Sequence, residues 1–412
     1  MGAGAMVGWV LPGEPSAAHQ RLTMRSILLL LALTASSTAA DAAVAEERRE
    51  PFDDLRLEVH GFVSFGYLQS WENDWLDETT DGSADFHEAA LNLISRPFDR
   101  IRLGAQLFER DLGVYDNGRV DLDWAYAAWQ VGDELELAAG RLRTPLGLYN
   151  DVRDVDAARA PVFLPRSVYA LRFRDLYVSI DGAAAKGLID LAGDMDLEYA
   201  LYGGDKRIAD DTGTTTYLGA AGYGEGVTVD VDWTIGGMAH LTTSVPGLGF
   251  RISVLRVDAL RIAGDPTPGI ELASDLDYWL FIGSVEYDLR AVTLAAEYSR
   301  LRGRGSRGIA ALGVSESTQD DGEGMYVSAT WRQKRWLEWY LAGEAEFDDA
   351  TDRDRSHAWR LIAATAVRPM AHWSLKLEAH YADETLETIQ VENPDGAEHH
   401  WWGVALKTTV DF

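Results

Sequence analysis

From residue 55 onward the sequence alternates apolar and polar residues in segments of about ten to fourteen residues, the pattern of strands with two unlike faces. The last segment is the clearest. Trp402, Val404, Leu406, Thr408, Val410 and Phe412 share one face, and Trp401, Gly403, Ala405, Lys407, Thr409 and Asp411 share the other. Trp373, Leu375, Leu377, Ala379 and Tyr381 alternate with Ser374, Lys376, Glu378 and His380 in the same way. Soluble strands have a typical length of about five or six residues, whereas a tilted strand needs roughly 9–11 to cross the hydrocarbon layer. Long two-faced strands therefore predict an all-β chain, a transmembrane antiparallel β-barrel. Aromatic residues near segment ends, among them Tyr126, Trp129, Tyr298, Trp331, Trp336, Trp339, Trp359, Tyr381 and Trp402, fit interfacial girdles.

The segments lie at roughly 57–71, 85–94, 99–110, 119–131, 133–143, 174–186, 191–203, 228–243, 248–262, 276–288, 291–302, 323–333, 336–347, 356–368, 371–382 and 400–412, which makes sixteen. Between them, short turns alternate with long connections at about 72–84, 111–118, 144–173, 204–227, 263–275, 303–322, 348–355 and 383–399. This rhythm places both chain termini on the periplasmic side. The segments 228–243 and 276–288 alternate less cleanly, which leaves fourteen or eighteen strands open. A soluble sandwich or propeller would have shorter strands, and no repeat of 40–50 residues is present.

Composition agrees with a barrel. The 412 residues are 47% hydrophobic, and the mean hydropathy of -0.16 is too polar for a helical membrane protein. There is no cysteine, so disulfides and thiolate metal sites are excluded. Near the N-terminus, Met24-Arg25 precedes an apolar run from Ile27 to Leu33, and Ala40-Asp41-Ala42 and Ala43-Val44-Ala45 both suit a small-x-small cleavage site. Residues 1–45 read as a secretory signal region with translation starting at Met24, and 46–412 as the barrel domain. Without residues 1–45, which hold Arg21, Arg25, Glu14 and Asp41, the net charge stays at -29, a balance that disfavours nucleic acid.

Several features resemble Gram-negative outer-membrane porins. The terminal Phe412, with apolar residues at alternate positions before it, resembles the C-terminal signal of outer-membrane barrels. The stretch Gly140-Arg141-Leu142-Arg143-Thr144-Pro145-Leu146-Gly147-Leu148-Tyr149-Asn150 resembles the turn before the third loop in general porins and phosphate-selective porin O/P-like proteins. Its continuation, Arg153-Asp154 through Leu164-Pro165-Arg166-Ser167-Val168-Tyr169, is similar to porins of marine γ-proteobacteria. The lysine-rich loops of a phosphate-specific pore are missing. The resemblance implies an outer-membrane channel for small hydrophilic solutes and ions, a third loop folded into the barrel, and a homotrimer associating through its early strands.

The third connection, about 144–173, is long and rich in proline and apolar residues, so it has the mass to pack. From 141 to 174 the chain is also basic, with Arg141, Arg143, Arg153, Arg159, Arg166, Arg172 and Arg174 against Asp151, Asp154 and Asp156. Guanidinium groups at a constriction would favour anions. Alternatively they pair with these acids and with the barrel wall. Parity points Arg102, Arg360, Lys376 and Lys407 inward, together with Asp121, Asp123, Asp181, Glu297, Glu338, Glu344 and Glu378. Parity aims Arg141 outward, unless a bulge at Gly140 turns it in; the headgroup level or a subunit interface would also suit it.

The other connections are acidic: Asp74, Asp77, Glu78 and Asp81; Asp320, Asp321 and Glu323; Asp348, Asp349 and Asp352. Carboxylates of this kind are solvated or share divalent cations with lipopolysaccharide phosphates, which makes outer-membrane lipid the expected partner. Neither Gly-x-Ser-x-Gly nor His-Glu-x-x-His occurs and the histidines are scattered, so no enzyme, cofactor or metal site is expected. A barrel phospholipase or protease, or a structural barrel without an open pore, is the alternative.

Overall fold

The computed structural model describes residues 56–412, apart from 77, 114, 115, 355, 385 and 387–391. The signal region lies outside the described residues. Sixteen antiparallel strands close into one barrel: β1 (Leu57–Trp71), β2 (Ser83–Phe98), β3 (Ile101–Leu112), β4 (Asn117–Gln130), β5 (Glu136–Arg143), β6 (Ser179–Leu191), β7 (Met195–Ile208) and β8 (Glu225–Thr242) form the first half. β9 (Leu248–Thr267), β10 (Ile270–Asp288), β11 (Val292–Ile309), β12 (Val314–Lys334), β13 (Leu337–Phe347), β14 (His357–Met370), β15 (Trp373–Glu384) and β16 (His400–Asp411) complete it. Every strand pairs with its sequence neighbours, and β16 returns to β1 from Phe62↔Asp411 to Trp71↔Trp402. At the seam Phe412 and Gly61 exchange backbone hydrogen bonds. A Cβ on Gly61 would stand 2.6 Å from the Phe412 ring, so the terminal ring occupies the space that glycine leaves.

The alternation does what its period requires. On β16 the outward Trp402, Leu406 and Val410 are exposed, while the inward Trp401, Ala405 and Lys407 are buried. The muddy alternation of β8 has a local cause. Gly204 of β7 opposes Thr234, but Lys206 opposes Val231, so three steps of β8 face two of β7. The bulge puts Asp232 and Trp233 both on the exposed side, with buried Val231 and Thr234 on either flank. In β10 both faces are apolar, because Tyr278 and Ile282 are buried inside while Trp279 and Phe281 are exposed outside.

Four expectations change. The connections 263–275 and 303–322 are mostly strand, since β9–β10 and β11–β12 continue to Thr267, Ile270, Ile309 and Val314 as tall hairpins. Asp320, Asp321 and Glu323 accordingly belong to β12. β6 begins at Ser179, after a helical turn at Arg174–Tyr177, so the third connection extends to 178. Tyr126 pairs with Gly104 in the inward row that includes Arg102 and Gln106, and the Arg102 guanidinium lies 5.7 Å from its ring, so it is no girdle residue. Asp181 sits beside Arg141 in the outward row through Ala105 and Ala125, not inside.

Candidate functional site

The segment 144–178 is tied at its stem and then to the inner wall around the barrel. Thr144 N–H donates to Val178 O, and the Asn150 amide donates to Thr144 O and Tyr177 O at 2.8 and 2.9 Å. Gly147, at φ 58°, turns the chain inward; its N–H donates to Ser253 and its carbonyl accepts from Arg251 at 2.7 Å. Three wall carboxylates then take backbone N–H groups. Glu297 accepts from Leu148, Glu378 from Val162 and Phe163, and Glu344 from Ser167, at 2.8–3.2 Å. A segment bonded to β9, β11, β13 and β15 lies inside the barrel. Its apolar residues pack there too, with Val162, Phe163 and Leu171 against Trp75, Phe86 and Trp401, and Val168 and Phe173 against the cluster of Tyr202, Val257 and Tyr278.

Two aspartates organise the charge. Asp154 receives Arg143 at 2.5 Å and Arg174 at 3.1 Å. Both cations also reach Asp123, at 3.3 and 3.1 Å, and Gln106 joins them. Asp156 receives Lys376 at 3.3 Å, Lys407 at 2.8 Å and Arg159 at 3.0 Å, with Thr409 donating a further bond. Burial alone would push both carboxyls up. The guanidinium groups of Arg174, Arg143 and Arg153 instead hold Asp154 well below the usual carboxylate range, and Lys376, Lys407 and Arg159 do the same for Asp156.

Most of the remaining candidates are buried as well. Arg172 pairs with Glu346 at 3.0 Å, and Arg360 with Glu346 and Glu384 at 3.1 and 2.7 Å. Arg166 is buried with its guanidinium 4.5 Å from the Trp75 ring centre. Arg153 is buried and donates to Asn150 Oδ1 at 3.2 Å; burial, then the neighbouring Arg174, lowers its pKa to about 9. Arg102 is half-buried and meets Glu136 at 2.9 Å. Arg141 makes a two-pronged ion pair with Asp181 at 2.7 and 2.8 Å on the outer face and donates to Leu122 O.

The expectation that the loop arginines face an open channel is therefore corrected for Arg143, Arg153, Arg159, Arg166, Arg172 and Arg174. A guanidinium this buried needs local acceptors or aromatic faces, and the fold supplies them. The pairing reading fits the geometry. The sequence reading missed the hub role of Asp156 and the use of Glu297, Glu344 and Glu378 as acceptors for loop backbone. Inward parity of those glutamates was the available signal. Among the described residues, no group of three or more metal-ligating side chains is arranged around a common point. His87, His240 and His372 face carboxylates rather than serines.

No protein-family model matches the sequence, and no curated protein matches it. Solved structures do. OmpT of Vibrio cholerae, in a form lacking loop L8, is 12% identical with a TM-score of 0.55, over 87% of this chain and 100% of that one. OmpF of Salmonella typhi in complex with daunomycin is also 12% identical at 0.55, over 87% and 98%. The outer membrane channel DcaP of Acinetobacter baumannii is 13% identical at 0.51, over 86% and 97%. At such identities the likeness is one of fold, that of an outer-membrane β-barrel of Gram-negative bacteria.

Proposed function

We propose that the chain is an outer-membrane porin of the general or phosphate-selective O/P-like kind, a water-filled channel through which small hydrophilic solutes and ions diffuse passively. The observation that carries this reading is an inner wall of paired opposite charges, crossed by an ordered loop anchored to it from β9 to β16. A lipid-facing or structural surface has no use for such a wall, whereas a solute path does. Arg143, Arg159, Arg172 and Arg174 of the loop region pair with acids, so the field across the channel is transverse and the anion preference is weak. The reading includes export by a cleaved signal peptide, and it assigns no catalysis.

Assembly as a homotrimer is part of the proposal. Around the outward Arg141–Asp181 pair, the outer face carries small residues, Ala125, Ala127, Ala139 and Ala183, where lipid-facing walls usually carry large aliphatics. A paired charge there suits contact with protein better than with hydrocarbon.

A second reading, a plugged structural barrel, is favoured by the apolar packing inside β6–β11, where Val168, Phe173, Leu176 and Tyr217 meet wall side chains. Planar-bilayer recording decides between them. Discrete conductance steps with a reversal potential near zero in a salt gradient are expected of the porin. Silence in the bilayer from correctly folded protein sinks it.

A further inference from the structure

On the outer wall the geometry points to a binding site for a phosphorylated lipid of the outer leaflet, with Arg302 and Arg304 holding the headgroup above a groove for acyl chains. The inference rests on the reading of the chain as an outer-membrane barrel and adds a ligand site on the side opposite the channel.

The site follows from register. One outward row runs Gly283, Tyr298, Met325, Ala345 and Trp359 across β10–β14, and the row on its periplasmic side runs Val285, Ala296, Val327, Gly343 and Leu361. Large side chains at the rims and small ones between them leave a groove of about 850 Å³, lined by Gly283, Val285, Tyr298, Met325, Gly343 and Trp359 among others. Nothing lies within 4 Å of where a Cβ would stand on Gly283 or Gly343. The groove crosses several strands, which gives it room for more than one chain.

Directly above it β11 carries a row of arginines, flanked by Asp277 of β10 and by Asp321 and Glu323 of β12. Tyr298, Arg300, Arg302 and Arg304 project outward at two-residue intervals on β11. Each interval is about 6.8 Å along a strand, or about 5 Å of height at a tilt of about 40°. Arg302 and Arg304 thus stand roughly 10 and 15 Å above the Tyr298 ring, and Arg302 shares its outward row with the exposed Trp279, an interfacial residue type. They open on a second, polar cavity of about 480 Å³ that Arg256, Trp279, Asp277, Asp320 and Asp321 also line; Asp277, opposite Arg304, is taken by Arg256 and by the Ala259 N–H.

Within this outer cluster the guanidinium groups differ. Arg300 is held by Asp321 and Glu323, and Arg256 by Asp258 and Asp277. Arg302, at 69% side-chain exposure, reaches only Asp321, at 3.8 Å, and Asp321 is already engaged by Arg300. Arg304 is exposed and forms no ion pair among the described residues. A zwitterionic phospholipid brings its own ammonium group to its phosphate. Two under-partnered guanidinium groups side by side suit a headgroup with several phosphate charges, and the wide groove suits a multiply acylated lipid.

The test uses detergent-purified full-length protein, titrated with bisphosphorylated lipid A and, separately, with the same lipid after dephosphorylation. Binding is read by native mass spectrometry with EDTA present. Saturable binding of the phosphorylated lipid is expected. Replacing both Arg302→Glu and Arg304→Glu weakens it by about tenfold or more, while Lys334→Glu in the β12–β13 turn leaves it unchanged. Gly343→Leu, which fills open space on the outer face, weakens both lipids. Gel migration before and after boiling establishes that each variant is a folded barrel. Equal affinity for the two lipids, unchanged binding in the double variant, or binding abolished by EDTA would each overturn the site. Conductance is scored separately: a silent barrel that still discriminates the two lipids refutes the channel and leaves this site standing.

Discussion

The barrel has two populations of arginine that read alike in the sequence and live in opposite surroundings. Those from Arg143 to Arg174 line or run through the loop inside the barrel, mostly buried, with acids, amides or aromatic faces placed around them. Those of β11, Arg300 to Arg304, stand on the outer wall with acids enough for one of them. The difference is one of solvent. Inside, a guanidinium without acceptors would carry several kcal/mol of desolvation, so the fold pairs it. Outside, at headgroup height, water solvates it and pairing is optional. Charge inside is architecture, and charge outside is free for recognition.

The largest effect that would sharpen this contrast is at Asp156. Asp156→Asn leaves Lys376, Lys407 and Arg159 buried together around a neutral amide, a loss of about 3–5 kcal/mol. Fast proteolytic cleavage within 144–178 of an otherwise folded barrel is the expected readout, and a loop as resistant as the parent's would break the argument. Asp154→Asn is milder, because Asp123 still serves Arg143 and Arg174. It costs about 1–3 kcal/mol and shifts the reversal potential toward anions, since a buried negative charge is lost.

Acid makes a graded version of the same test. The carboxyls of Asp154 and Asp156 titrate below their unfolded values. Their contribution is therefore full above the unfolded pKa of about 3.9 and lost only as pH falls through the folded values. In the Asp154→Asn and Asp156→Asn variants the difference in loop protection from the parent is expected to persist down to about pH 4 and to vanish only in stronger acid; a difference that vanishes near neutrality would contradict it. Arg141→Ala has a smaller effect still. The half-exposed pair with Asp181 contributes about 0–1 kcal/mol to the monomer, so thermal unfolding of monomer hardly moves, whereas trimers on native gels dissociate more readily. Least of all, Arg302→Glu leaves barrel stability within about 0.5 kcal/mol by denaturant titration.

Much of this was legible beforehand because strand period and facing are local properties. The sixteen strands follow from parity together with the rhythm of short and long connections, and the inward facing of Arg360, Lys376, Lys407, Glu297, Glu344 and Glu378 follows from parity alone. Parity failed where backbone irregularity or context intervened. Asp181 was assigned to the wrong face, because the reading did not carry the outward row of Arg141 across to β6. The tall hairpins β9–β10 and β11–β12 were taken for loops, because Pro266, Pro268 and Gly269 interrupt the first and the upper part of the second is mostly polar and glycine-rich. The pairing of the loop arginines was not legible, since their acids lie on strands far away in sequence, and only closure of the barrel brings them near.

That closure has a consequence for the order of events during assembly. The seam joins β1 to β16, and the acceptors for the loop lie 149, 177 and 216 residues downstream of the residues they hold, at Glu297, Glu344 and Glu378. A chain threaded from its N-terminus has no hoop and no far wall until nearly its last strand is in place. The loop must therefore wait in solution with its arginines hydrated, and it docks only after the ring shuts. The slow step is then a dehydration inside a finished vessel, and a variant that stalls there would leave a complete barrel with an unseated loop.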